Sequence, residues 1–383
     1  MCTSLSFKEP FTAVLFYYKK LDNIYSEGIT LNLKSLGWNQ TFEEAFKVYE
    51  DQALVPGRIS VEHKGLYDVL TEHGELLGEI TGKIRYNAAG RHDYPAVGDW
   101  VAVSAVPQEG KAYIHGILPR KSKFSRKAAG ITTEEQIVAT NVDTVFLVNA
   151  LNQDFNLRRL ERYLLMAWES GATPVIVLSK ADLCADVQTY IDEVETIAFG
   201  VPTFAVSAEN GSGLDALSSF IKEGETVALL GSSGVGKSTL ANKLFGQEVL
   251  KTNDIREEDG KGKHTTTHRE LLVLENGGIL IDTPGMRELQ LWEGDSSLSQ
   301  SFQDIEAFAE QCRFRDCTHN NEPGCGVQGA IASGELDEER YNSFLKLQRE
   351  LAYFARKEDQ KLALAEKARW KKLAGDRTRV HRK

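Results

Sequence analysis

"TVALLGSSGVGKSTLANKLF" (226–245) is the stretch whose reading decides the fold. It begins as an apolar run, as a buried strand does, and ends in residues that suit a helix. Between them "GSSGVGKS" (231–238) fits G-x-x-x-x-G-K-[ST], with the strand before and the helix after that this loop requires. Gly231, Gly234 and Gly236 let backbone N–H groups turn inward around phosphate oxygens, and the helix start adds the positive end of its dipole. Lys237 is placed to reach β- and γ-phosphates, and the Ser238 hydroxyl to ligate Mg²⁺. In ordinary nucleotide switches this segment opens the domain and the base-reading segments follow. Here residues 1–225 come first.

Downstream, "DTPG" (282–285) ends the strand "GILI". Asp282 at that strand end can hold Mg²⁺ through water, and the Gly285 N–H can sense a γ-phosphate. Between the two motifs, "EEDGKGKHTTTHRE" (257–270) is polar and contains glycine, which predicts a mobile loop. One of Thr265, Thr266 or Thr267 is placed to close on Mg²⁺ when a γ-phosphate is present.

Upstream lies the base reader. Guanine offers N1–H and an exocyclic amine side by side, which one carboxylate accepts together, whereas adenine presents a lone pair at N1. "LSKAD" (178–182) puts Asp182 at the end of the strand "TPVIVLS", with Lys180 beside it. "VSA" (206–208) presents backbone N–H groups at Ser207 and Ala208 for the guanine oxygen. Base reader first and phosphate loop second means a circularly permuted domain, which keeps the sheet and moves the termini.

The rest of the chain is organised around that domain. At 383 residues it is too long for one typical core. No apolar run reaches the ~20 residues a membrane span needs. "FTAVLFYY" (11–18) lacks the basic start and the cleavage site of a signal peptide, so residues 1–30 read as an N-terminal extension. Residues 31–118 alternate apolar and polar positions over five short strands, as in an oligonucleotide/oligosaccharide-binding (OB) barrel; an SH3-like barrel is the alternative. "PRKSKFSRKAAG" (119–130) has no clear period, and 119–141 reads as a basic linker. Residues 142–298 alternate apolar strands with helices, giving a mostly parallel sheet covered on both faces. Residues 299–383 read as helical, with one Cys/His loop and a basic tail.

That loop, "CRFRDCTHNNEPGC" (312–325), supplies Cys312, Cys317, His319 and Cys325, a closed tetrahedral zinc set with no open position for catalysis. Cys2 and Cys184 fit neither metal nor disulfide. A net charge of −10 argues against indiscriminate nucleic-acid binding, so any such surface must be a local basic patch. Lys83, Arg85, Arg91 and Lys111 on or beside the barrel strands, with Arg120, Lys121, Lys123, Arg126 and Lys127 after them, are the candidates.

A barrel, a permuted nucleotide domain and a Cys₃His knuckle, in that order, resemble the ribosome small-subunit-dependent GTPase A (RsgA) family. "VGDWV", "SKAD", "GSSGVGKST", "GKHTTT", "DTPGMRE" and C-x4-C-x-H-x5-C carry the likeness, from about Leu31 to the C-terminal helices. The resemblance implies a cytoplasmic, monomeric GTP phosphohydrolase, stimulated by the 30S subunit and acting in its late maturation through rRNA. It implies guanine contacts at Ser179, Lys180, Asp182, Ser207 and Ala208. It implies phosphate contacts from Gly231, Ser232, Ser233, Gly234, Val235, Gly236, Lys237, Ser238 and Thr239, with Thr266 and Gly285 joining them and Mg²⁺ held by Ser238 and Thr266. Met286 replaces the glutamine that orients water in ordinary switches, so the catalytic set is read as Lys237, Asp282 and His264, the last positioning water. Ser179 stands where the family usually has asparagine, which spans from the base edge to the phosphate loop; the shorter serine puts guanine affinity in question more than guanine preference. Two rival functions are a switch acting on a protein effector without RNA, and a P-loop small-molecule kinase, for which "SKAD" and "VSA" would be coincidence.

Overall fold

The structure is a computed structural model that describes residues 31–127, 135–246, 269–274, 277–282, 295–320, 322–353 and 355–356. They fall into two compact units, one of residues 1–155, 171–190 and 202–289, the other of residues 156–170, 191–201 and 290–383.

The first unit is built on an 11-stranded sheet in the order β10-β9-β8-β11-β13-β12-β1-β2-β3-β5-β4. Its parallel half comprises β8 (Thr144–Ala150), β9 (Thr173–Ser179), β10 (Thr203–Ala205), β11 (Thr226–Leu230) and β13 (Ile279–Asp282). β8 and β11 are buried along their whole length, as strands covered on both faces must be. Phe146, Val148, Val175, Val177, Val227 and Leu229 form the heart of that core. β12 (Glu270–Val273) runs antiparallel to β13 and then meets β1 (Val55–Glu62) at Glu270 opposite Val61.

From there the chain closes a five-stranded barrel. β1 pairs with β2 (Tyr67–Thr71), β2 with β3 (Gly74–Ile80), and β3 runs parallel to β5 (Lys111–Ile117). β5 pairs with β4 (Trp100–Val106), and β4 returns to β1. On β5 the residues alternate between exposed and buried, so Ala112 and Ile114 join Ile59, Val69 and Val101 inside. The expected barrel, of OB rather than SH3 type, is therefore present, preceded by the helix Gln40–Phe46, whose Phe42 and Phe46 are buried.

The stretch read as a linker is different. β6 (Lys123–Lys127) and β7 (Glu135–Thr140) form an antiparallel pair. The sequence hid β6 because its lysines and arginine break the apolar alternation. Arg58, 1% exposed, lies at the centre of this neighbourhood. Its guanidinium donates to the Leu36 carbonyl, to Gly98 O at 3.3 Å, to Asn141 O at 3.4 Å and to Thr226 Oγ1 at 2.8 Å. Burial lowers its pKa to about 10, against the pull of Asp143 and Asp99. One side chain thus ties the segment before the barrel, the β4 turn, the end of β7 and β11 together. Gly98, at φ 95°, is required in that turn, since a Cβ there would lie 2.2 Å from Thr140 O.

The second unit is helical. The helix Leu157–Ser170 carries Glu161, which accepts from Arg158 at 2.6 Å and from Arg340 at 2.8 Å. Arg340 also donates to Asp304 and lies 4.7 Å from the centroid of the Phe302 ring. Arg162 makes a fork to Glu350 at 2.6 and 2.7 Å. The helices Asp295–Ser301, Gln303–Ala309, Gly326–Ser333 and 338–353 also belong to it.

Candidate functional site

Parallel strands end on one edge of a sheet, and loops there face the same crevice. β9 ends at Ser179, β10 at Ala205 and β11 at Leu230, so the three segments singled out in the sequence emerge at the same edge of the sheet.

The loop after β11 is shaped by backbone. Gly231 passes so close to β8 that a Cβ would meet Val148 O at 2.4 Å. Val235 is buried in the core and anchors the far side. Ser233 and Gly234 are exposed between them, and the helix Lys237–Phe245 starts at once, with Thr239 exposed on its first turn. Lys237 Nζ donates to Gly231 O at 2.9 Å and to Ser232 O at 2.7 Å. The lysine thus folds over the loop, with its charge at the place where anionic oxygens would sit.

On the base side, Lys180 adopts φ 59°, a left-handed conformation that costs a non-glycine residue about 1 kcal/mol or more. The turn this makes lets the Ala181 N–H reach Val206 O at 3.1 Å and leaves Asp182 exposed at the strand end. The two N–H groups of "VSA" are not equivalent. The Ser207 N–H is taken by Ser212 O at 3.0 Å, and the Ser207 hydroxyl accepts from the N–H groups of Glu209 and Asn210. Ala208 makes no hydrogen bond to another described residue, so its N–H is the donor left for a ligand.

Ser179 does reach the phosphate loop. Its buried hydroxyl donates to Val235 O at 2.6 Å and lies 3.5 Å from Asn149 O. A serine therefore makes the link between base side and phosphate side, because β9 and the loop approach closely enough for a short side chain. A second link has no signal in the sequence: the Ser232 hydroxyl donates to Asp154 Oδ2 at 2.7 Å. Asp154 lies in the turn after β8, in "NQDF", and no motif points to it.

The four metal-ligand candidates converge in the second unit, their donor atoms all within 4.8 Å of one another. Cys312 Sγ lies 3.4 Å from His319 Nδ1 and 3.8 Å from Cys325 Sγ; Cys325 Sγ lies 3.5 Å from the same nitrogen. A tetrahedral zinc with Zn–S about 2.3 Å and Zn–N about 2.05 Å requires S···S about 3.8 Å and S···N about 3.5 Å. The donor set fits that ion. His319 takes φ 59° to turn inward, and its carbonyl accepts from Gln328 at 2.8 Å and from the Tyr341 hydroxyl at 3.2 Å. Burial works against the Cys312 thiolate, but the N–H groups of Gly326 and Val327 outweigh it and the pKa falls. Cys317 is pushed up to about 11, by burial first and then by the neighbouring thiols.

Comparison with known proteins now decides the family. The RsgA GTPase family model matches residues 117–292. The small ribosomal subunit biogenesis GTPase RsgA of Opitutus terrae is 48% identical over 359 residues, covering 91% of this chain and 98% of that protein. The chain belongs to the RsgA family. Small ribosomal subunit biogenesis GTPase RsgA 2 of Lactiplantibacillus plantarum is 49% identical over 325 residues, 85% of this chain and 91% of that one. Among solved structures, YjeQ from Thermotoga maritima superposes with a TM-score of 0.57 at 29% identity, covering 78% of this chain and 99% of that one. YloQ, described as a circularly permuted GTPase, gives 0.56 at 25% identity over 79% and 97%.

Against that RsgA background, several expected residues lie outside the described ones: His264, Thr265, Thr266, Thr267, Gly285 and Met286. Asp282 ends β13, on the same sheet edge as the phosphate loop. The basic patch fares less well. Lys111 pairs with Glu109 at 3.1 Å and Lys123 with Glu135 at 2.9 Å. Lys121 is bound to Asp143. Arg120 forks onto the fully buried Asp99 at 2.7 and 2.8 Å, and Arg126 bonds Gln136. Apart from Lys111, these cations tie together separate segments of the barrel, the β6–β7 pair and the start of β8. Sequence alone could not assign them so, because every partner but the Glu109 of Lys111 lies at least ten residues away in the chain.

Proposed function

We propose that this RsgA-family chain hydrolyses GTP to GDP and phosphate and acts on the small ribosomal subunit during its maturation. The observation that carries the reading is the convergence of phosphate loop, Asp182 turn and Ala208 N–H at one sheet edge. Guanine would be read by Asp182 and Ala208, with Lys180 beside the base and Ser207 holding the loop. Lys237 would leave the carbonyls of Gly231 and Ser232 for the β- and γ-phosphates. The N–H groups of Ser232 to Thr239 would line the phosphates. Mg²⁺, bound with GTP, would neutralise charge on the phosphates; Ser238 and Thr266 would hold it, with Asp282 acting through water. His264 is our candidate to position the attacking water, and Gly285 to sense the γ-phosphate. Zinc would be structural, held by Cys312, Cys317, His319 and Cys325. The relatives named for small-subunit biogenesis support the partner, and with it a cytoplasmic site of action. Neither the kinase nor the protein-effector switch has an observation in its favour.

The test is phosphate release from GTP and from ATP, with and without 30S subunits. GTP turnover that rises with 30S is expected, with His264→Ala keeping GTP binding and losing that turnover. Equal use of ATP, or no response to 30S, would sink the reading.

A further inference from the structure

The barrel cations bound to protein partners have part of their charge and of their donors committed to those partners. Lys83 and Arg85 are different. Both are exposed, and neither side chain makes a hydrogen bond or ion pair with another described residue. They stand on the helix Gly82–Asn87, a six-residue excursion between β3 and β4. Beside them is Tyr86, 90% exposed.

The helix is seated, not loose. Ile84 packs against the barrel core, the Thr81 N–H donates to Ile114 O at 3.0 Å, and the Ala88 N–H donates to Ile84 O at 3.0 Å. Lys83 and Tyr86 are three apart, hence neighbours on one helix face, and Arg85 stands on the same turn. Leaving a tyrosine this bare gives up the burial energy that aromatic residues usually contribute. A bare ring on one short helix with two cations whose side chains have no protein partner suits one chemistry well: a nucleotide whose base stacks on the ring while its phosphates meet the charges. A duplex hides its base faces in its own stack, so the ring would have nothing to cover there.

We infer that Tyr86, with Lys83 and Arg85, is a stacking platform for an unpaired nucleotide of single-stranded RNA. This rests on the proposed action on the small subunit and names the part of the barrel that meets it. On an acidic chain of net charge −10, a small platform of this kind gives local attraction without general nucleic-acid binding.

The experiment uses the full chain, a fluorescein-labelled single-stranded RNA of about twelve nucleotides, the matching duplex, and 30S subunits. Tyr86→Ala is expected to weaken single-strand binding about tenfold, Tyr86→Trp to stay within about twofold of the parent, and duplex binding to stay unchanged. Lys83→Ala with Arg85→Ala should reduce the slope of log affinity against log salt by about 0.7 for each phosphate no longer neutralised. The parent failing to bind the single strand, Tyr86→Ala binding it unchanged, or an equal weakening on the duplex would each overturn the inference. So would a Tyr86→Ala protein that loses 30S association but not RNA, which would point to a ribosomal protein. If the parent neither sediments with 30S nor responds to it, the reading beneath the inference is what fails.

Discussion

The parallel half of the sheet and the barrel use the same residue types in opposite ways. At the parallel edge, Lys237 and Ser179 bond to backbone carbonyls of the phosphate loop itself. In the barrel and the β6–β7 pair, Arg58, Arg120 and Lys121 bond to carbonyls and carboxylates that come from distant parts of the chain. Lys237 is half-buried and can exchange its partners for a phosphate. Arg58 and the Asp99 end of its neighbour's pair are out of water, where giving up a partner is costly. A positive charge near a binding face is therefore available to a ligand only where its protein partners are easily replaced.

Arg58 should break that comparison most sharply. Removing it leaves Leu36 O and Thr226 Oγ1 without their donor, and Arg58→Ala is expected to cost about 3–5 kcal/mol. Arg58→Lys should recover little of it, because an ammonium cannot reach four acceptors in a fork. Urea unfolding measures both, and an Arg58→Ala midpoint equal to the parent's would show that the buried network is not what holds the two halves.

The next effect is on the ligand side. Asp182 is exposed and supports nothing in the fold, so Asp182→Asn should leave stability alone. It should weaken GTP about 10- to 100-fold, since a charged hydrogen bond contributes about 1.5–3 kcal/mol. Xanthosine triphosphate, with a carbonyl in place of the amine, should regain part of the affinity. Competition against labelled GDP reads this, and unchanged GTP affinity would remove Asp182 from the base site.

Ser179 sharpens the comparison within the site. Ser179→Ala loses one neutral hydrogen bond between strand and loop, worth about 1 kcal/mol, so GTP and GDP should weaken together about fivefold. A weakening confined to GTP would mean that the hydroxyl serves the γ-phosphate instead of the loop.

The same contrast explains what could be read in advance. The phosphate loop, "SKAD" and the Cys/His loop are local patterns: their spacing fixes backbone geometry within a few residues, and geometry is the site. The barrel and the permutation were legible for the same reason, as periods and order along the chain. Cation roles were not, because Lys121 meets Asp143 and Arg58 meets Thr226 only after folding. Asp154 escaped likewise, being placed by the close of β8 against β11 and not by its neighbours in "NQDF".

Asp154 is also where the smallest effect is expected. Its carboxylate accepts from Ser232 on a part-exposed flank of the phosphate loop, so solvent can replace part of that bond. Asp154→Asn keeps an acceptor oxygen and removes the charge, and it should change GTP affinity by no more than about twofold if the bond is purely a brace. Asp154→Ala removes the acceptor as well and should weaken GTP about two- to fivefold, the value of one neutral or partly solvated bond. Ser232→Ala should match Asp154→Ala, and the double variant should weaken GTP no further than either alone, because both delete the same hydrogen bond. If instead Asp154→Asn tightens GTP binding, the carboxylate acts on the phosphates by repulsion through space. The clasp would then oppose the ligand, and the exchange of partners seen for Lys237 would have a counterpart on the acidic side.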